Sequence, residues 1–303
     1  MDMDNPGLTR ESKLVLGTLV LAATVMLLNE TTLSVALPVI MDSFGVTAAT
    51  AQWLTTGFML TMAVVIPTTG FVIERLTTRQ VFITAFVFFL GGTLVAALAP
   101  VFLVLLGGRV LQAAGTALIM PLLMTTVMNV VPPSMRGSFV GMMSVVISLA
   151  PAFGPTVSGF ILNYFSWNFV FWFMVPFVVF ILLVGVKYIS NVGESTEKPF
   201  DIISVPLAAI GFGGLVYALS DIETLMAGSF IPIIVGVAAI IALVAFVLRQ
   251  LSLGKRDQAF LDLRVFAVPG FAIAIILIMV IFGLLLGLVT VLPIYLQKAL
   301  LVT

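Results

Sequence analysis

Apolar residues run along this chain in long blocks separated by short charged or Gly/Pro-rich breaks. The blocks fall at roughly 14–38, 52–74, 80–99, 101–128, 138–162, 166–189, 202–219, 230–250 and 270–295. Each approaches or exceeds the roughly 20 residues a helix needs to cross a bilayer core. None shows the alternation of a barrel strand, and open strand edges do not persist in hydrocarbon, so the blocks predict nine helices. The fourth and fifth are long enough to require tilt or extension beyond the bilayer.

The breaks between blocks carry an asymmetry. With the N-terminus placed in the cytoplasm, Arg10, Lys13, Arg75, Arg79, Arg136, Lys187, Lys198, Arg249, Lys255, Arg256 and Arg264 all fall inside. Asp42, Asp221 and Glu223 fall in external loops, with Lys298 as the one external cation. This distribution follows the positive-inside rule, so a multi-pass protein of the cell membrane with a cytoplasmic N-terminus is expected. The first block has a superficial signal-peptide look, with Ser34-Val35-Ala36 resembling a cleavage site. Its length and its polar interruption Asn29-Glu30-Thr31-Thr32 mark it as a retained helix.

Composition narrows the function classes. The chain is 61% hydrophobic and 9% charged, with a mean hydropathy of +1.28, far from the roughly 25% charged residues of a soluble domain. Lys+Arg and Asp+Glu balance at 13 each, so no nucleic-acid partner is expected. With Cys 0 and His 0, thiol nucleophiles and imidazole relays are excluded, and proton chemistry must rest on carboxylates. An enzyme is therefore not expected, nor any cofactor or metal. The expected partners are membrane lipid, protons and a small amphipathic substrate.

Spans one to three and four to six read as two related triplets, giving an N-terminal six-helix bundle over residues 1–189. A polar cytoplasmic linker (190–201) precedes an extra hairpin (202–250), a second linker (251–269) and one last helix within 270–303. The fold class is thus an all-α polytopic membrane protein. Repeat-built transporters place their site between bundles, so one helix after the hairpin reads as the start of an incomplete second bundle. The missing helices are expected to be required for transport.

Glu30 is the first candidate for chemistry, because a carboxylate deep in a membrane helix costs a few kcal/mol and usually marks a functional pathway. Arg109 lies about eight residues into the inward-running fourth span, and Glu30 about eight from the outer end of the first. At 1.5 Å per residue both sit about 12 Å below the outer surface, so an ion pair is expected. Ser34 extends the Glu30 stripe at i+4, and Gln112 and Thr116 extend that of Arg109 at i+3 and i+7. Burial and a neighbouring guanidinium act in opposite senses on a carboxylate's proton affinity, which suits proton coupling. A structural ion pair that merely docks two helices is the plainer alternative.

Three further features stand out. In the fifth span Pro151, Pro155 and Gly159 are spaced by four, with Gly154 and Ser158 between them; the prolines remove backbone donors and the glycines permit close helix approach. Between the second and third spans Gly70, Glu74, Arg75 and Arg79 cluster at the inner membrane edge, as simple anchoring or as a latch between helices. Met120 and Met124 are candidates for an adaptable apolar pocket.

These pieces together resemble the major facilitator superfamily, specifically its fourteen-helix drug:proton antiporter branch. Leu28 to Pro38 looks like the first-helix motif of that branch, and Gly70 to Arg79 like the signature loop between helices two and three. Arg109-Val-Leu-Gln112-Ala-Ala-Gly115 is similar to the fourth-helix Arg motif, and Gly154-Pro155-Thr-Val-Ser158-Gly159 to the antiporter motif of helix five. Asn29 stands where the first-helix motif commonly has Asp, with the acid one position later; this variant resembles the lincomycin-exporter-like subgroup of Gram-positive bacteria. Glu74 replaces the usual Asp of the signature loop, Thr77 and Thr78 stand where Gly and a base are usual, and Asn168 where Arg is frequent.

The resemblance implies a proton-coupled efflux transporter exporting amphipathic drugs, conferring antibiotic resistance and driven by the proton gradient. Glu30, Arg109, Asn29, Ser34, Gln112 and Thr116 would serve proton coupling and substrate. Pro151, Gly154, Pro155, Ser158 and Gly159 would set exchange direction. Gly70, Glu74, Arg75 and Arg79 would form the cytoplasmic gate. Export of an endogenous metabolite, or a non-transporting membrane scaffold, are the alternatives.

Overall fold

The computed structural model describes residues 9–189, 191, 201, 203–220, 228–255, 259 and 263–298. Most of the 190–201 linker, including Lys198, together with Asp221, Glu223 and Arg256, lies outside the described residues. The chain divides into two compact units, Met1–Phe246 and Val247–Thr303.

In the first unit the predicted spans appear as α1 (Arg10–Phe44), α2 (Ala48–Arg75), α3 (Thr78–Ala97), α4 (Phe102–Val130), α5 (Pro133–Tyr164) and α6 (Asn168–Tyr188). Helices α1, α2 and α5 outrun their apolar blocks through partly charged or capped end turns, whereas α3 is shifted two residues toward its N-terminus and α6 lies within its block. Thr9 and Thr47 each accept from a backbone N–H of their helix's first turn. Between α2 and α3 only Leu76 and Thr77 intervene, and Thr77 forms a reciprocal capping box with Gln80. The threonine that departs from the family pattern thus starts a helix. Arg79 N–H adds a bond to Asn191 Oδ1 at 3.4 Å.

Up-and-down connection puts Arg10, Lys13, Arg75, Arg79, Arg136 and Lys187 at one end of the bundle. Arg136 also has a structural task there. It donates to the carbonyls of Met128 (2.6 Å) and Val131 (3.0 Å), the unpaired acceptors at the end of α4. Replacing Arg136 with leucine should destabilise the protein by about 1.5–3 kcal/mol, the range for hydrogen bonds to a charged group, read as a lowered unfolding midpoint in detergent. At the opposite end the α5–α6 corner is pinned by Trp167 Nε1–H to Ser43 Oγ (3.0 Å) and Asn168 Nδ2–H to the Ala97 carbonyl (3.0 Å). Asn168 therefore completes the end of α3.

The bundle interior holds two apolar clusters with a polar layer between them. One cluster includes Val15 to Met26 of α1, Val81 to Phe89 of α3, Leu118 to Val127 of α4 and Val131 just after it. The other includes Leu33 to Ile40, Leu54, Ala96 to Ala99, Leu105 and Trp167 to Phe171. Buried Asn29, Thr32, Thr93, Arg109, Gln112 and Thr116 occupy the gap.

The predicted hairpin begins with α7 (Ser204–Ala208), passes through a π-helical turn (Ala209–Gly213) into α8 (Gly214–Ser220), and returns as α9 (Ile231–Gly254), which runs on into the second unit. That unit also contains a 3-10 turn at Leu263–Ala267 and α10 (Pro269–Lys298). Among the described residues seven helices are long and apolar enough to cross a membrane, and Ser204–Leu219 and Pro269–Ile281 are shorter apolar helical stretches.

Candidate functional site

The polar layer is built on a close seam between α3 and α4. A Cβ on Gly92 would lie 2.5 Å from the Gly108 carbonyl oxygen and 2.6 Å from the Gln112 nitrogen. One on Gly108 would lie 2.8 Å from the Ala96 nitrogen, and one on Gly115 would press on the backbone of Ala85 and Phe89. Only glycine lets the backbones approach so far. That approach carries Gln112 to α3, where its Nε2–H donates to Thr93 Oγ1 at 2.9 Å, while Thr93 donates to the Phe89 carbonyl at 2.6 Å.

Arg109 occupies the centre and is 1% exposed. Its NH1 donates to Gln112 Oε1 at 2.9 Å and to Asn29 Oδ1 at 3.1 Å, and its Nε to the Leu54 carbonyl at 3.5 Å. Phe58 lies beneath the guanidinium, with Cζ 4.2 Å from the ring centroid, a cation–π contact in a desolvated setting. Arg109 thus ties α4 to α1 and α2, and through Gln112 to α3. Arginine only donates, so the amides of Asn29 and Gln112 must turn their oxygens toward it. Gln112 then spends its NH2 on Thr93. The Asn29 NH2 is buried and finds no acceptor among the described residues.

The expected direct ion pair is replaced by this neutral shell. Asn29 shares the interior face of α1 with Thr32, Leu33 and Ala36. Glu30 is turned about 100° away, is only partly buried, and meets Arg109 through its field, with no hydrogen bond between them. The depth match is real, but the neighbour of the acid makes the contact. Thr116 lies in the layer but Ser34 is exposed, and neither bonds to Arg109: their hydroxyls donate to the carbonyls of Gln112 (2.9 Å) and Thr31 (2.7 Å) within their own helices. Sequence reasoning missed Phe58, Thr93 and the Leu54 carbonyl. The paired glycines at 91–92 and 107–108 were the available signal for the α3–α4 seam that presents Thr93.

On α5 the motif residues divide between two faces. Gly154 packs against Thr31 of α1, where a Cβ would strike the threonine side chain. Ser158, one turn on, is fully buried, and its hydroxyl has no partner among the described residues. Pro151, Pro155 and Gly159 are exposed on another face, and α5 stays one helix through both prolines. At the α2–α3 end Gly70, Glu74, Arg75 and Arg79 are exposed, with Arg75 5.8 Å from the Phe71 ring centroid. They form a separate group at the bundle end. Met124 is exposed and Met120 packs on the apolar core. Among the described residues no three His, Cys, Asp or Glu gather as a metal site requires.

A helical bundle with a buried arginine layer and membrane-length helices defines a polytopic membrane protein of transporter type. The profile of the Major Facilitator Superfamily matches residues 19–301, and the chain belongs to that family of transporters. It is 41% identical over 286 residues to the lincomycin resistance protein LmrB of Listeria monocytogenes, a match covering 94% of this chain and 60% of the relative. It is 29% identical over 280 residues to the multidrug export protein EmrB of Haemophilus influenzae, covering 92% of this chain and 54% of the relative. The chain thus spans little more than half the length of such relatives. The crystal structure of the human organic anion transporter MFSD10 shares the fold, with a TM-score of 0.55 at 16% identity, over 69% of this chain and 55% of that one.

Proposed function

We propose that this protein acts as a proton-coupled exporter of amphipathic compounds, drugs of the lincosamide kind among them, in the cell membrane of a Gram-positive-like bacterium with its N-terminus in the cytoplasm. The observation that carries the reading is the placement of Glu30, partly buried on α1 beside the neutral shell of a fully buried Arg109. Glu30 is the group that takes up and releases the proton. Arg109 is held too firmly to reach it directly and sets the field in which it titrates. Asn29, covalently next to Glu30 and bonded to Arg109, links the two. The similarity to lincomycin-resistance and multidrug-export proteins supports the substrate class.

The α5 residues Gly154 and Ser158 hold the α1–α5 seam, and Pro151, Pro155 and Gly159 offer a small-residue face to a further bundle. Gly70, Glu74, Arg75 and Arg79 gate the inner side. The reading is tested on the full-length natural protein in proteoliposomes with an imposed pH gradient. Glu30→Gln, which keeps size and hydrogen-bonding capacity but cannot ionise, should abolish gradient-driven export while leaving substrate binding in place. Unchanged gradient-driven export by that variant would remove Glu30 from its role.

A further inference from the structure

The hairpin has no part in the arginine layer, yet it packs on the helix that clamps it. Helix α2 has two neighbouring stripes about 100° apart. One carries Leu54 and Phe58, the carbonyl and the ring that hold Arg109. The other carries Trp53, Leu60 and Val64, at i, i+7 and i+11, and meets the hairpin. The Trp53 ring lies 5.9 Å from the Tyr217 ring of α8, at an interplanar angle of 31°. A Cβ on Gly213 would sit 3.4 Å from Val64 Cγ2 and 3.7 Å from Leu60 Cδ1.

The π-helical turn makes this seating possible. Its extra residue per turn aims Gly211 and Gly213 within it, and Gly214 just after it, at different neighbours; single π-turns recur at functional sites. Gly211 faces Leu243 of α9 with 2.7 Å for an added Cβ, and Gly214 faces Ala239 with 3.0 Å, while Gly213 faces α2. Phe212 meets Phe246 edge-on at 6.1 Å, locking the returning helix to the same turn. The turn is therefore wedged between α9 and α2. Trp53 is adjacent in the chain to Leu54, so a rotation of α2 that released the Trp53–Tyr217 contact would also withdraw the Leu54 carbonyl and the Phe58 ring from Arg109.

We propose that the hairpin is a brace for α2, and that Trp53, Gly213 and Tyr217 are positioning residues for the Arg109 clamp. The structural part stands on packing alone; its consequence for export rests on the proposed function above. The test uses the full-length natural protein and the variants Tyr217→Leu, Gly213→Leu and Trp53→Phe, followed by hydrogen exchange and transport. Exchange in the α2 peptide spanning residues 52–61 should rise about tenfold in Tyr217→Leu and Gly213→Leu, with the α3–α4 seam unchanged, and stay near the wild-type rate in Trp53→Phe, which keeps an aromatic ring against Tyr217. The maximal export rate should fall in the first two variants with KM for substrate unchanged. Adding Phe58→Leu to Tyr217→Leu should cost less than the two separate losses summed, because both act on one clamp.

Exchange that rises only within the hairpin, or additive losses, would overturn the brace. A wild-type protein that exports nothing would overturn the transport reading instead. The α2 exchange pattern would still decide the brace.

Discussion

Gln112→Leu is expected to destabilise the protein more than Arg109→Met, although the second change removes the only buried charge of the layer. The guanidinium is held by neutral acceptors, Asn29, Gln112 and the Leu54 carbonyl. Removing Gln112 leaves a desolvated cation short of an acceptor and Thr93 short of a donor, a loss of about 3 kcal/mol. Removing the arginine also orphans amide oxygens, but it abolishes the cost of keeping a cation out of water. A methionine fills much of the volume over Phe58. Its net cost should be about 1 kcal/mol, within the scatter of neutral replacements for buried ions. On the function proposed above, export by the full-length natural protein should nonetheless vanish in Arg109→Met. Unfolding midpoints of the purified variants, set beside their transport rates, decide the matter. A larger destabilisation in Arg109→Met would mean that the guanidinium serves mainly as a structural tie.

The second large effect separates two adjacent glycines. Gly92 faces α4 with 2.5 Å of room before the Gly108 carbonyl, whereas a Cβ on Gly91 meets nothing within 4 Å. Gly92→Ala must push backbone from backbone and should cost upwards of about 2 kcal/mol, since no side chain can rotate aside. The displacement would also draw Gln112 away from Thr93. Gly91→Ala should be neutral or stabilise by up to about 1 kcal/mol, through the lower chain entropy of alanine. Expression and thermal unfolding of the two variants in parallel provide the comparison. Equal behaviour would mean that the seam relaxes freely.

How far the sequence reached depends on the physics behind each signal. The helices were legible because hydrocarbon enforces length and apolarity on a span, and their order follows from the breaks; of the nine expected, seven reach membrane length among the described residues. The ends were less legible. Caps such as Thr9, Thr47 and Thr77 extend helices past the apolar blocks by local hydrogen bonds that hydropathy does not register. Depth arithmetic placed Arg109 level with the Asn29-Glu30 pair because axial rise is regular. It did not say which of the two would face inward, because that depends on how α1 is rotated. The apolar stripe Leu33, Ala36 and Ile40 settles the rotation and takes Asn29 with it.

Phe58 and the Leu54 carbonyl could not be found by looking for polar residues, since one is aromatic and the other is backbone. The two faces of the α5 motif were partly legible. The spacing of Pro151, Pro155 and Gly159 grouped them correctly, but only the packing of Thr31 into Gly154 shows which face α1 takes.

The α3–α4 seam also acts as a ruler of fixed length. Gly108 and Gly115, seven residues apart, must both meet α3, which answers with Ala85, Phe89, Gly92 and Ala96 over three turns. One inserted residue anywhere between those two glycines would swing everything beyond it by about 100° and turn Gly115 off the seam. Natural length variation in this lineage should therefore collect in the loops and linkers. The stretch from Ala85 to Gly115 should tolerate substitutions at its lipid-facing positions but no insertion or deletion within either helix.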